Sequence, residues 1–217
     1  MIVYFSGPHG AGKSSLIRGI CEYSSDFIAY PDRLKFAHVD EPALRQKSKI
    51  AKIFQEYCDQ LDFEKENPDK IVLGDRCIYD CMVYSNAYQK IGWISAEQNN
   101  DNKRLSEILN ECYPSHLVVL NPRYETLVSH IQQRWKRGEK KWREENQGYL
   151  KAVHDEFESL PEYFRGKNLL YLGKEAPVED EVDETISWMN EKGIWHDNSY
   201  RLVEESFSRD YEEVHAY

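Results

Sequence analysis

The chain of 217 residues predicts an α/β protein, a parallel five-stranded sheet with helices on both faces. Three observations carry that expectation. Short apolar runs recur at Ile2 to Phe5, Phe27 to Tyr30, Lys70 to Leu73, His116 to Leu120 and Asn168 to Leu172, separated by segments long enough to hold helices. A glycine-rich run follows the first of them directly, and the pair Asp75-Arg76 closely follows the third, at the carboxyl edge where open α/β sheets bind ligands.

The first apolar run reads as a buried strand, and Leu16-Ile17-Arg18-Gly19-Ile20 begins a helix. Between them, Gly7-Pro8-His9-Gly10-Ala11-Gly12-Lys13-Ser14-Ser15 fills every fixed position of G-x-x-x-x-G-K-[ST] in the strand, loop and helix order that the motif needs. Its glycines let backbone N–H groups turn inward as an anion cradle. Lys13 can reach the outer phosphates of a nucleotide, and the Ser14 hydroxyl can hold Mg²⁺. Past the third run, Tyr79 to Lys90 and Asn102 to Cys112 look helical, with a turn at Gly92-Trp93-Ile94-Ser95 and Ser95 as a candidate N-cap. Arg123 to Arg137 fits a helix ending at Gly138, Asn146 to Leu160 supplies another, and the acidic segment Glu175 to Glu184 starts a last one. Residues 1–192 are expected to form one domain. Residues 193–217, polar with scattered aromatics, form an extension whose role is open among a packed helix, an oligomer contact such as a homodimer, and a partly disordered tail.

Composition narrows the classes of partner. Five cysteines without a C-x-x-C pair argue for reduced thiols, and no basic leader or run of 18 apolar residues occurs, so a cytoplasmic protein without a membrane span is expected. A formal net charge of -10 argues against a nucleic-acid track and favours small phosphorylated ligands bound through a local basic patch.

Such a patch lies between Arg134 and Arg143, a dense basic cluster in an acidic protein. Phosphoryl transfer spreads negative charge over the migrating group, and arginines on a closing segment stabilise that charge, so residues 134–148 are expected to form a lid with Arg134 and Arg137 acting on the phosphates. Asp75, ending a strand, suits a Mg²⁺ ligand, and Arg76 can pair with a phosphate. Asp32 and Arg33, after the second strand, stand at the same sheet edge. Asp32 could take a proton from an acceptor hydroxyl, and Arg33 could bind an acceptor phosphate. Tyr57 and Tyr84 lie on segments that could face an acceptor base, although core packing is the commoner role of such residues.

Taken together, these segments resemble the deoxynucleoside kinase and thymidylate kinase superfamily, over residues 1 to about 190. GPHGAGKSSL is similar to its phosphate loop and GDRCIYD to its DRS-x-Y or DRY signature. HLVVLNPRYETLVSHIQQRWKRG resembles its fourth strand, following helix and arginine lid, and NQGYLKAVHDEFESL the helix after it. The resemblance implies a P-loop kinase fold of three layers with a basic lid. It implies donor phosphates on Gly7 to Ser15, Mg²⁺ near Asp75, Arg76 at the acceptor 5' end, Arg143 as a further lid arginine, and the adenine of ATP between the lid and residues 173–177. Two departures stand out. Nucleoside kinases carry a Glu-Pro pair where this chain has Tyr30-Pro31-Asp32-Arg33, which leaves Asp32 as candidate base with Glu41 in reserve, and Cys77 replaces the residue expected after the arginine.

The expected activity is therefore ATP- and Mg²⁺-dependent transfer of a phosphoryl group to a deoxynucleoside or a deoxynucleoside monophosphate. A polynucleotide 5'-kinase or another small-molecule kinase is the alternative. A regulatory switch ranks below both, because Asn102-Lys103-Arg104-Leu105 lacks the acid of a guanine-reading N-K-x-D motif.

Overall fold

The computed structural model describes residues 1–31, 39–110, 116–163, 168–173 and 175–196. The chain opens with β1 (Ile2–Ser6), passes through α1 (Lys13–Tyr23) and β2 (Phe27–Ala29), and continues as the long α2 (Pro42–Glu66) into β3 (Ile71–Asp75). After α3 (Ile78–Lys90) and α4 (Ala96–Asn110) come β4 (His116–Leu120), α5 (Tyr124–Lys136), α6 (Gln147–Glu158), the short α7 (Leu160–Tyr163), β5 (Asn168–Leu172) and α8 (Val178–Glu191). The five strands pair in parallel in the order β2-β3-β1-β4-β5.

β1 is central, and all five of its residues are buried, as a strand covered on both faces requires. Ile2 and Tyr4 point into one core, with Ile50 of α2, Tyr84 of α3 and Phe157 of α6. Val3 and Phe5 point into the other, with Leu16 and Ile20 of α1 and Ile186 of α8. α1 and α8 touch closely because Gly19 has no side chain: a Cβ there would stand 2.7 Å from Val182 Cγ2. Ile194 and Trp195 extend this second core beyond α8, and the Trp195 indole donates to Asp26 Oδ2 at 3.0 Å. Residues 197–217 lie outside the described residues.

The apolar runs thus become strands close to where they were expected, and the differences have local causes. β3 runs on through Gly74 and Asp75, because these pair with Tyr4 and Phe5 of β1. α4 begins at Ala96, six residues before the apolar pattern suggested, with Ser95 and Gln98 exchanging side-chain and backbone hydrogen bonds at its start. Its contact with α3 is polar there: the Asn102 amide donates to Ser85 Oγ at 3.0 Å, and Asn99 is hydrogen-bonded to Asn86. Apolar periodicity has nothing to register in such a seam. The predicted helix Asn146 to Leu160 is split into α6, which Asn146 caps through Tyr149 N–H at 2.9 Å, and α7. No helix among the described residues is long and apolar enough to cross a membrane.

Candidate active site

The glycine-rich loop leaves the carboxyl end of β1, where β3 and β4 flank it, which is the switch point of the sheet. Gly7 sits at φ +148°, and a Cβ there would lie 2.3 Å from the Leu120 carbonyl oxygen, so only glycine lets the loop turn this close to β4. Lys13 folds back along the loop and donates to the carbonyls of Gly7 at 3.0 Å and Pro8 at 3.2 Å. Burial, and after it the nearby Arg76, pulls the Lys13 pKa down to about 8. Ser14 Oγ donates to Asp75 Oδ2 at 3.4 Å, and Asp75 Oδ1 is buried with no hydrogen-bond partner among the described residues. A hydroxyl beside a carboxylate oxygen with open lone pairs is a donor set that fits a hard cation such as Mg²⁺.

Directly after β3 the chain reverses at Arg76, which adopts φ +79° while its N–H donates to the Phe5 carbonyl at 2.8 Å. A left-handed conformation is costly for a residue with a Cβ. It lets Asp75 meet Ser14 while the Arg76 guanidinium lies 3.6 Å from Asp80 Oδ1 and 5.9 Å from the centre of the Tyr84 ring. Burial acts against the Arg76 charge, but Tyr84, Asp80 and Asp75 together raise its pKa further. Cys77 is the N-cap of α3: its thiol accepts from the Asp80 N–H, and the Asp80 carboxylate accepts from Cys77 N–H at 2.9 Å. The residue that departs from the family signature therefore serves as a cap here. Burial, then the charge of Asp80, keeps its thiol well above the usual range.

The basic segment folds over the loop, held by a buried carboxylate. Glu144, 1% exposed, accepts hydrogen bonds from His9 Nδ1 at 3.0 Å, from Arg134, from the Trp135 indole at 3.0 Å and from Lys141 N–H at 3.0 Å. Burial works against the Glu144 charge, yet the His9, Trp135 and Lys141 contacts hold its carboxyl below the ordinary range. Burial dominates at His9 and lowers its pKa to about 3, so the imidazole is neutral near pH 7. In that state Nδ1–H donates to Glu144 and Nε2 accepts from Tyr149 Oη at 3.3 Å. Arg143 turns elsewhere, stacking 4.9 Å from the centre of the Trp93 ring and 5.2 Å from that of Trp142.

Two cavities meet at this edge. The larger, about 830 Å³, is lined by loop residues from His9 to Ser15, by Arg134, Arg137 and Lys141, and by residues 175–178 and Glu181 at its far end. The smaller, about 270 Å³, lies between α2 and α3 and is lined by Arg45, Lys49 and Ile53 of α2, by Tyr84, and by Trp142 from the basic segment. His9, Asp75, Arg76 and Lys141 line both. Among the expected residues, Lys13, Ser14, Asp75, Arg76, Arg134, Arg137 and Tyr84 line one cavity or both. Tyr57 does not; it is core, beside Phe54. Glu41 is engaged as the N-cap of α2, accepting from Ala43 and Leu44 N–H. Asp32 and Arg33 lie outside the described residues. The sequence reading did not single out Arg45, Lys49 or Glu144. The i, i+4, i+8 spacing of Arg45, Lys49 and Ile53 puts them on one helix face, which was the available signal.

No protein-family model matches the chain, and no curated protein matches it by sequence. Solved structures do. One is deoxyadenosine kinase from M. mycoides with products dCMP and a flexible dCDP bound, with a TM-score of 0.69, 13% identity, and coverage of 88% of this chain and 100% of that one. The same kinase with bound dATP gives a TM-score of 0.66 at 14% identity, with the same coverage. Thymidylate kinase from Candida albicans gives 0.63 at 14% identity, covering 88% of this chain and 92% of that one. The chain has the P-loop kinase fold these proteins share: five parallel strands with helices around them.

Proposed function

We propose that the protein is a phosphotransferase that moves the γ-phosphoryl group of ATP, with Mg²⁺, to a deoxynucleoside or a deoxynucleoside monophosphate. The observation that carries this reading is the common wall of His9, Asp75, Arg76 and Lys141 between a phosphate-loop cavity and a second, smaller one. A donor in the first and an acceptor in the second would face each other across Asp75 and Arg76, the arrangement that direct transfer requires. The likeness to deoxyadenosine and thymidylate kinase structures supports the same class of substrate. A cavity of about 270 Å³ suits a monomeric acceptor better than a polynucleotide end.

In this mechanism the backbone of residues 7–15 cradles the donor phosphates, and Lys13 exchanges its carbonyl contacts for the outer ones. Ser14 and Asp75 would hold Mg²⁺, which neutralises phosphate charge when bound. Arg76 faces the migrating group, Arg134 and Arg137 cover it, and the segment latched by Glu144 excludes water. Asp32 is the candidate base for a hydroxyl acceptor, and Arg33 a candidate clamp for a phosphate. Residues 1–192 are proposed as the kinase unit. The test is a screen of nucleosides and their 5'-monophosphates with ATP labelled in the γ-phosphate. Transfer to at least one acceptor is expected, abolished in Lys13→Ala; binding of ATP with transfer to none refutes the proposal.

A further inference from the structure

Away from the phosphate loop, the last turn of α6 brings three potential ligand atoms together. His154 and Glu158 stand one helical turn apart on the same face, and Asp155 follows His154 directly. One nitrogen or oxygen atom from each of the three lies within 4.8 Å of the other two. None of these residues lines either cavity, so the kinase reading leaves them unused.

Two acids on a helix surface do not by themselves make a site, and the distinguishing group is His154, which is 5% exposed. Its Nε2 lies 3.0 Å from the Pro122 carbonyl oxygen, and because a carbonyl only accepts, Nε2 carries the hydrogen and donates it. In the neutral ring the lone pair is then on Nδ1. That atom is buried and makes no hydrogen bond among the described residues. It faces Asp155 Oδ1 at 3.6 Å and Glu158 Oε1 at 3.8 Å, both beyond hydrogen-bonding distance. Three electron-rich atoms thus converge, and they repel one another unless a cation joins them.

The spacing suits a metal ion. Ligand bonds of about 2.0 to 2.2 Å in tetrahedral geometry put neighbouring ligand atoms about 3.4 Å apart, close to the two separations from Nδ1, and the exposed Glu158 can close the remainder. The Nε2–H donation to a backbone carbonyl is the outer contact that orients a ligating imidazole, and the Tyr124 ring packs edge-on against His154 with 5.8 Å between ring centres. Two cations compete for Asp155: Lys151 pairs with Oδ1, and Lys90 lies 3.8 Å from Oδ2. Both lysines are half-exposed, and ion pairs of that kind contribute little, so a divalent ion can displace them.

We propose that His154, Asp155 and Glu158 bind a divalent transition-metal ion of the Zn²⁺ class, with water completing its coordination. An imidazole ligand beside two carboxylates favours such an ion over Mg²⁺, which takes oxygen ligands. Its role is structural. The Asn121 amide donates to the His154 carbonyl at 3.2 Å, and the His154 ring is held on Pro122, itself a residue of the phosphate-loop cavity wall. Bound there, the ion fixes the last turn of α6 where it meets the connection from β4 to α5.

The test is calorimetric titration of the full chain, carrying no histidine tag, with Zn²⁺ alone in excess Mg²⁺, and a parallel titration with Co²⁺, whose visible absorption reports its ligands. Saturable binding of Zn²⁺ with a Kd below about 0.1 mM is expected. At about a hundred times that Kd, Zn²⁺ should raise the melting temperature by about 5 °C. His154→Gln, whose amide can still donate to Pro122, and Glu158→Gln should each weaken binding about tenfold or more and change the Co²⁺ spectrum. Absence of saturable Zn²⁺ binding overturns the site and leaves His154 as a histidine that pairs with the two acids only when protonated. An affinity unchanged in either variant overturns it as well, because the ion is then held elsewhere. If His154→Gln fails to fold, Glu158→Gln, altered at an exposed side chain, decides. The phosphoryl-transfer screen is independent of every one of these outcomes.

Discussion

Replacing Glu144 by glutamine removes one negative charge and changes little else in shape. In the native arrangement that carboxylate takes hydrogen bonds from His9, Arg134, Trp135 and the Lys141 backbone, and because His9 is neutral, Arg134 is its one formal counter-charge among these four. A glutamine amide offers one acceptor oxygen and turns an NH₂ group toward groups that are themselves donors. Arg134, 14% exposed, is then left without an anion. Breaking a buried pair from one side costs about 3 to 5 kcal/mol, and the partial exposure of Arg134 puts the expected loss near the lower end, about 3 kcal/mol. For a chain of this size that corresponds to a fall in Tm of about 6 to 12 °C. The assay is a thermal melt followed by tryptophan fluorescence, with Glu145→Gln as control. Glu145 is exposed and pairs with Lys140 at 3.3 Å, so its replacement should change stability by less than about 0.5 kcal/mol. Limited trypsin digestion adds a local readout, since release of the segment should speed cleavage after Arg137, Lys140 and Lys141. Equal melting temperatures for the two variants would refute the latch.

Three further outcomes follow from the geometry. Ser14→Ala and Asp75→Asn should each lower kcat by about 10² to 10³ in a labelled-ATP assay, with the melting temperature nearly unchanged for Ser14→Ala. Gly19→Ala puts a methyl group 2.7 Å from Val182 Cγ2 and should destabilise by about 1 kcal/mol despite the better helix propensity of alanine, and Val182→Ala in the same chain should recover that loss relative to its single-variant background in urea unfolding. Because the folded-state pKa of His9 lies near 3, below the usual 6.5, the unfolded chain binds the proton first; the contribution of neutral His9 is present above about pH 6.5 and declines toward pH 3, so urea midpoints should fall on acidification with a shallower slope in His9→Gln.

Much of the architecture could be read from residue order, because strands buried on both faces leave continuous apolar runs and the phosphate loop depends on glycines at fixed spacing. Asp75 and Arg76 were legible for the same reason, being tied to the end of such a run. The groups that escaped notice act through contacts distant in sequence. Glu144 is one acid in the stretch Lys140-Lys141-Trp142-Arg143-Glu144-Glu145, and nothing local separates it from its exposed neighbour Glu145. Arg45 and Lys49 sit on a helix whose buried face also includes Gln46, Glu56 and Gln60, so its polar and apolar residues do not sort into the clean stripe that marks a helix by pattern. The start of α4 was misjudged because asparagines pack it against α3. Tyr57 shows the opposite limit: an aromatic at helical spacing belongs to the core here, whereas Tyr84, one helix further on, reaches the cavity.

The wall common to the two cavities makes them one thermodynamic unit. His9, Asp75, Arg76 and Lys141 cannot respond to an anion on one side without altering the field felt on the other. By linkage, whatever factor the first ligand applies to the affinity of the second, the second applies to the first. Like charges brought to opposite sides of Arg76 oppose each other unless metal and lysine neutralise them, so the sign of that coupling reports how completely the site screens its own substrates. A calorimetric cycle with each ligand alone and both together would measure it, and a non-hydrolysable donor would keep the chemistry from intruding.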